Sequence, residues 1–237
     1  MFTHYRVQGL VLDKEDRGEA DRLFTIFTRD FGRLDLFAKA ERKIASKLRS
    51  GLELFYLSEL EFIQGKSHKT ITDAILLNKF DFLRKNPERL AAAYRITELL
   101  DRFIRDPDHD PIIFDLTRKV FDILNNPKQK IAIIYHYFFW NFISALGYKP
   151  ELYNCLICQK IISQNNLYFS PKEGGVICGN CRNKAENAKT INPDVVKILR
   201  VILAKDWDFL SKLKIEKEYQ NALSMVSRSY FNAKITV

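Results

Sequence analysis

The chain has 237 residues, 46% of them hydrophobic, 13% aromatic and 28% charged. That is core material for one large domain or two to three small ones, and it excludes a disordered tail protein. Lysine and arginine total 38 against 29 acidic residues, a formal charge of +9 that leans toward polyanionic partners.

The start, MFTHYRVQGLVLDKEDR, runs into a patterned strand without a signal-peptide core, so a cytoplasmic location is expected. Residues 5–77 read as β structure. YRVQGLVLDK, LFTIFT, RLDLFAK, LELFYLSELEFI and KTITDAILL are rich in Val, Ile, Leu, Phe, Tyr and Thr, with turn residues between them. Asp30-Phe31-Gly32 predicts a hairpin between the second and third strands. In the third, Leu34, Leu36 and Ala38 alternate with Arg33, Asp35, Phe37 and Lys39. Five short strands suit a small closed barrel, which leaves no long edge exposed.

The pattern turns helical near Asn86. Asn86-Pro87, Asp110-Pro111, Asn126-Pro127 and Asn192-Pro193 each pair a capping side chain with a proline at the first helical position. Leu90, Ala93, Tyr94, Thr97, Leu100, Phe103 and Ile104 mark the expected inner face of the first helix. Ile113, Leu116, Val120, Ile123 and Leu124 mark that of the second. KIAIIYHYFFWNFISALG is apolar nearly all round and stops at Gly147, which predicts a central buried helix with a left-handed C-cap. Its polar breaks at His136, Asn141 and Ser144 keep it short of the ~20 residues a bilayer span needs.

The four cysteines form two pairs, Cys155-Leu156-Ile157-Cys158 and Cys178-Gly179-Asn180-Cys181, separated by residues 159–177. Two CxxC turns at this spacing are a zinc-ribbon pattern, with LYFSPKEGGVIC as the hairpin that brings them together. Disulfides are disfavoured in a cytoplasmic chain. Four thiolates fill a tetrahedron and leave no place for substrate, so one structural Zn2+ is expected on Cys155, Cys158, Cys178 and Cys181.

Catalysis is not expected. His4, His68, His109 and His136 are scattered, and no phosphate loop, dinucleotide fingerprint or nucleophile elbow is present. The densest basic cluster is KAERKIASKLRS, Lys39 to Ser50, between the third and fourth strands. Small barrels of this type present a basic, aromatic groove to single-stranded nucleic acid. The candidate contacts are Arg33, Phe37, Lys39, Arg42, Lys43, Lys47 and Arg49. The competing reading of the cluster is a solvated basic helix.

The run GLVLDKEDRGEADRLFTIFTRDFGRLDLFAKAERKIASKLRSGLELF resembles the N-terminal segment of the bacterial RecO recombination and repair family. The matching residues are Gly9-Leu10-Val11-Leu12, Gly18-Glu19, Asp21, Thr28, Gly32, Ala38-Lys39 and Ser46-Lys47-Leu48. The family's glycine after Ala-Lys is replaced here by Ala40, and Glu41 follows. ALGYKPELYNCLIC and the second cysteine pair resemble the family's zinc-carrying branch. The resemblance implies an α+β, multidomain protein. Its parts would be an N-terminal five-stranded OB-fold barrel over residues 1–80, a helical bundle domain over 81–149 and 186–237, and an embedded four-cysteine zinc-ribbon-like module over 150–185. It also implies a nucleoid-associated, non-enzymatic mediator of DNA repair that binds single- and double-stranded DNA and anneals complementary strands. Its implied partners are RecR, the acidic C-terminal tail of single-stranded DNA-binding protein and, indirectly, RecA. For that tail, the helical segment offers Arg102, Arg105, Arg118 and Lys119. The alternative is an RNA-associated zinc-ribbon accessory protein.

Overall fold

The computed structural model describes residues 3–104, 110–163 and 166–235, which form two compact units, Met1–Lys128 and Gln129–Val237. In the first unit, β1 (His4–Arg17), β2 (Asp21–Thr28), β3 (Gly32–Ala38), β4 (Leu57–Gln64) and β5 (Lys69–Asn78) close a barrel in the order β1-β2-β3-β5-β4. Antiparallel pairs run throughout except at the closing seam, where β3 meets β5 in parallel through Leu36–Lys69 and Phe37–Thr70. The alternation in β3 holds, with Leu34, Leu36 and Ala38 inside beside Val11, Phe24, Ile26, Leu60 and Phe62.

Three helices belong to the same unit: α1 (Asp81–Lys85), α2 (Pro87–Phe103) and α3 (Pro111–Asn125). Asn86 and Asp110 cap α2 and α3 by accepting from the Arg89 and Ile112 N–H groups. Aromatic contacts seat them on the outside of the barrel, Phe114 on Phe27 and both Phe121 and Tyr94 on Phe55. The buried face of α2 is rotated from the expected one. It consists of Arg89, Ala92, Ala93, Ile96, Thr97, Leu99 and Leu100, whereas Leu90 is half-buried and Tyr94 lies at the exposed edge. Buried Arg89 explains the rotation, because its guanidinium reaches across to the carbonyls of Leu124 and Asn126 at the end of α3.

In the second unit, α4 (Ile134–Ala145) is the buried centre, with every residue from His136 to Ile143 inside. It packs against α5 (Pro193–Leu203) and α7 (Lys217–Ile235), with α6 (Trp207–Lys212) beside α5. Its interior polar groups are engaged in part, Asn141 Oδ1 and Ser144 Oγ having no partner among the described residues. Asn141 donates to the Ile202 carbonyl, and His136 lies 3.1 Å from the hydroxyls of both Ser224 and Ser227. Gly147 ends the helix at φ +89°, and the Tyr148 N–H returns to the Ile143 carbonyl, the expected left-handed termination.

Asn126-Pro127 does not open a helix. Asn126 instead accepts from the Lys128 N–H in a local turn, Lys130 is extended, and a 3-10 turn over Ile131–Ile133 leads into α4. Asn-Pro serves turns as readily as caps, and here no amphipathic run follows directly to select the helix. No described helix is long and apolar enough to cross a membrane.

Candidate metal centre and nucleic-acid interface

The cysteine module is built on β6 (Leu167–Ser170) and β7 (Gly175–Cys178), an antiparallel hairpin with β8 (Lys189–Thr190) on the far side of β6. The first CxxC turn is closed by the Gln159 N–H on the Cys155 carbonyl and docks on β7 through Leu156 N–H to Val176 O. Gly175 is required there, since a Cβ would sit 2.4 Å from the Glu151 carbonyl oxygen. Glu151 organises the approach, its carboxylate accepting from the Tyr153 and Asn154 N–H groups, which hold it below the ordinary carboxylate range. Cys178 ends β7, and a 3-10 helix over Gly179–Lys184 carries Cys181 back to the same point.

All four sulfurs lie within 4.8 Å of one another, and Cys158 Sγ is 3.8 Å from Cys178 Sγ. A tetrahedron with ~2.3 Å metal–sulfur bonds has edges of ~3.8 Å, so the spacing fits one ion and is far longer than a disulfide. Burial works against the Cys155 thiolate, but N–H groups of Cys158, Cys178 and Ile157 directed at its sulfur outweigh that and bring its pKa to about 6. Burial and the neighbouring cysteine sulfurs push Cys181 the other way, to about 12. Without an ion, then, this cluster disfavours four simultaneous thiolates. A soft divalent cation removes that conflict.

The basic segment after β3 is pinned to the β1–β2 turn. The Ala40 N–H donates to Asp21 at 2.7 Å, and Arg42 N–H donates to the Ala20 carbonyl. Glu41, 1% exposed, pairs with Arg22, which also binds Asp16 and holds that carboxyl below its usual range. The cluster is not a continuous helix: turns over residues 39–45 lead to a 3-10 helix over Lys47–Ser50.

The seven candidate contacts divide accordingly. Lys39, Lys43, Lys47 and Arg49 project into solvent and form no ion pair among the described residues. Arg42 is engaged with Asp16 at 3.4 Å and the Gly18 carbonyl at 3.2 Å. Arg33 lies 3.6 Å from Asp101 on α2. Phe37 is half-buried, its ring 5.1 Å from that of His68.

Sequence reasoning missed a groove of about 280 Å³ in the second unit. Ile133, Trp207, Leu210 and Leu213 supply its apolar surface, with Lys130 and Lys214 also in the lining. Trp207 is buried, and its indole N–H has no partner among the described residues. Of the residues expected to meet an acidic tail, Arg102 pairs with Glu98 at 2.7 Å, and Arg118 and Lys119 are exposed on α3. Arg105, like His109, lies outside the described residues.

An OB-like barrel followed by a helical region with a four-cysteine cluster that could hold a metal ion defines the class of the architecture. The family model "Recombination protein O N terminal" matches residues 1–80, and "Recombination protein O C terminal" matches residues 84–236. Among relatives, the DNA repair protein RecO of Dehalococcoides mccartyi is 34% identical over 226 residues, covering 95% of this chain and 88% of the relative. That of Heliobacterium modesticaldum is 32% identical, covering 94% and 82%, and that of Roseiflexus is 29% identical, covering 95% and 79%. The chain belongs to the RecO family of DNA repair and recombination proteins.

Proposed function

We propose that the chain is a non-enzymatic recombination mediator. It binds single- and double-stranded DNA and anneals complementary strands. With RecR, it helps load RecA onto DNA coated by single-stranded DNA-binding protein. The observation that carries this reading is the anchored basic segment of the barrel, in a chain whose two family matches span nearly its whole length.

Annealing requires the phosphates of two strands to be neutralised without a clamp specific for duplex. Exposed lysines on a fixed loop suit that task, because they attract backbone phosphates irrespective of sequence. Cys155, Cys158, Cys178 and Cys181 hold one Zn2+, whose chemistry is purely structural because the four thiolates complete its coordination. The groove around Trp207 is the better docking place for an acidic tail than α3. Lys130 and Lys214 meet its carboxylates, and an apolar side chain fills the groove.

The discriminating experiment compares binding of single-stranded DNA and a structured RNA of equal length at low salt. Preference for the DNA, enhanced when it carries its cognate coat protein, supports the mediator. Preference for the RNA would move the chain to the class of RNA accessory factors.

A further inference from the structure

The closing seam of the barrel carries a feature beside the start of the basic segment. Leu23 on β2, Phe37 on β3 and Thr70 on β5 are register neighbours across three strands, all half-buried on the outer face. His68 stands two residues before Thr70, so it shares that face. Its ring is exposed and lies against Phe37 at a centroid distance of 5.1 Å and an interplanar angle of 52°. The turn between β4 and β5 fixes it there. The Gly65 N–H donates to the His68 carbonyl at 3.0 Å, and Ser67 Oγ is 3.0 Å from His68 Nδ1. Lys66 lies in the same turn and Lys39 follows just past the end of β3, whereas Lys69, in register with buried Leu36, alternates to the opposite face. The nearby carboxylate of the row, Asp35, is already bonded to the Thr25 hydroxyl.

We infer that Phe37 and His68 form a two-ring platform on which single-stranded DNA stacks a base, with Lys39 and Lys66 meeting the adjoining phosphates. The inference rests on the DNA-binding reading above and assigns it a strand-selective subsite. Every base has a π face, so such a platform is indifferent to sequence. The bases of a duplex are already stacked on each other, so the platform favours single strands, whereas the lysines serve both forms. The tight turn holds the imidazole in place before binding, so little ordering is left for the ligand to impose. A merely structural pairing would need Phe37 covered from the barrel side only and would give no reason for an exposed ring beside two exposed lysines.

The test is fluorescence anisotropy of wild type, His68→Ala and His68→Phe with labelled oligothymidylate and with a duplex of the same length. His68 is exposed, so both variants keep the wild-type melting temperature. His68→Ala is expected to weaken oligothymidylate binding about fivefold to a hundredfold, and duplex binding less than about twofold. His68→Phe, which keeps a ring, is expected to restore the single-strand affinity. Unchanged oligothymidylate affinity in His68→Ala overturns the platform and leaves the DNA-binding reading standing. Equal weakening in both variants also overturns it, since charge rather than stacking would then be at work. If the folded wild type binds neither DNA, the DNA-binding reading itself fails, and the platform with it.

Discussion

Ala40 holds a backbone conformation that belongs to glycine. It sits at φ +53°, where RecO-like segments carry Gly, and an L-residue there costs roughly 1–2 kcal/mol. The bond from its N–H to Asp21 and the buried Arg22–Glu41 pair on either side keep the turn in place. Ala40→Gly relieves the strain but frees the unfolded chain, so stability should rise by about 0–1 kcal/mol in denaturant unfolding. A loss of stability would mean that the methyl group packs usefully. In the cysteine cluster, Cys178 offers both a sulfur and the N–H donor to the Cys155 sulfur at 3.4 Å. Cys178→Ser should reduce bound zinc below one ion per chain and lower the melting temperature, because metal binding in such modules is folding free energy. Full zinc content with unaltered melting would show that the fourth sulfur is dispensable.

At the scale of elements, what was legible in the sequence was local. The β3 alternation, the caps of α2, α3 and α5, the Gly147 stop and the paired CxxC turns each depend on neighbours within a few residues, and each was formed as expected. Asn126-Pro127 misled because one dipeptide serves two local structures. The turn of α2 about its axis depends on Arg89 meeting carbonyls some 35 residues away, and no helical periodicity encodes that. The groove beside Trp207 gathers residues from 129 to 220, so only tertiary structure brings it together. The candidate cations were visible as composition, but which of them are paired was decided by acids on β1 and α2, Asp16 with Arg42 and Asp101 with Arg33. For the loop after β3 the consequence is quantitative. If Lys39, Lys43, Lys47 and Arg49 all contact phosphates, they contribute about −2.8 to the log–log salt slope for single strands, at ~0.7 each. Lys43→Glu combined with Lys47→Glu should make the slope shallower and weaken binding, with an unchanged melting temperature because both side chains are exposed. Unaltered affinity at low salt would remove the loop from the interface.

For the whole molecule, each compact unit has its own means of stability. The first closes a sheet on itself and covers part of the outside with helices. The second wraps α4 in helices and gives its cysteine hairpin only a small apolar cluster around Cys155, Ile177 and Cys181, where the proposed Zn2+ would add a cross-link. On the mediator reading proposed above, the task is to hold strands and partners near one another, so the sign and exposure of the charge matter most. The most direct measurement is therefore the rate at which the zinc-loaded chain anneals complementary oligonucleotides already coated with the cognate single-stranded DNA-binding protein, followed by fluorescence across a salt series. The mediator reading predicts acceleration at low salt that fades as salt rises and is diminished by the Lys43→Glu, Lys47→Glu pair. No acceleration at any salt, with the chain folded and its zinc in place, would contradict it.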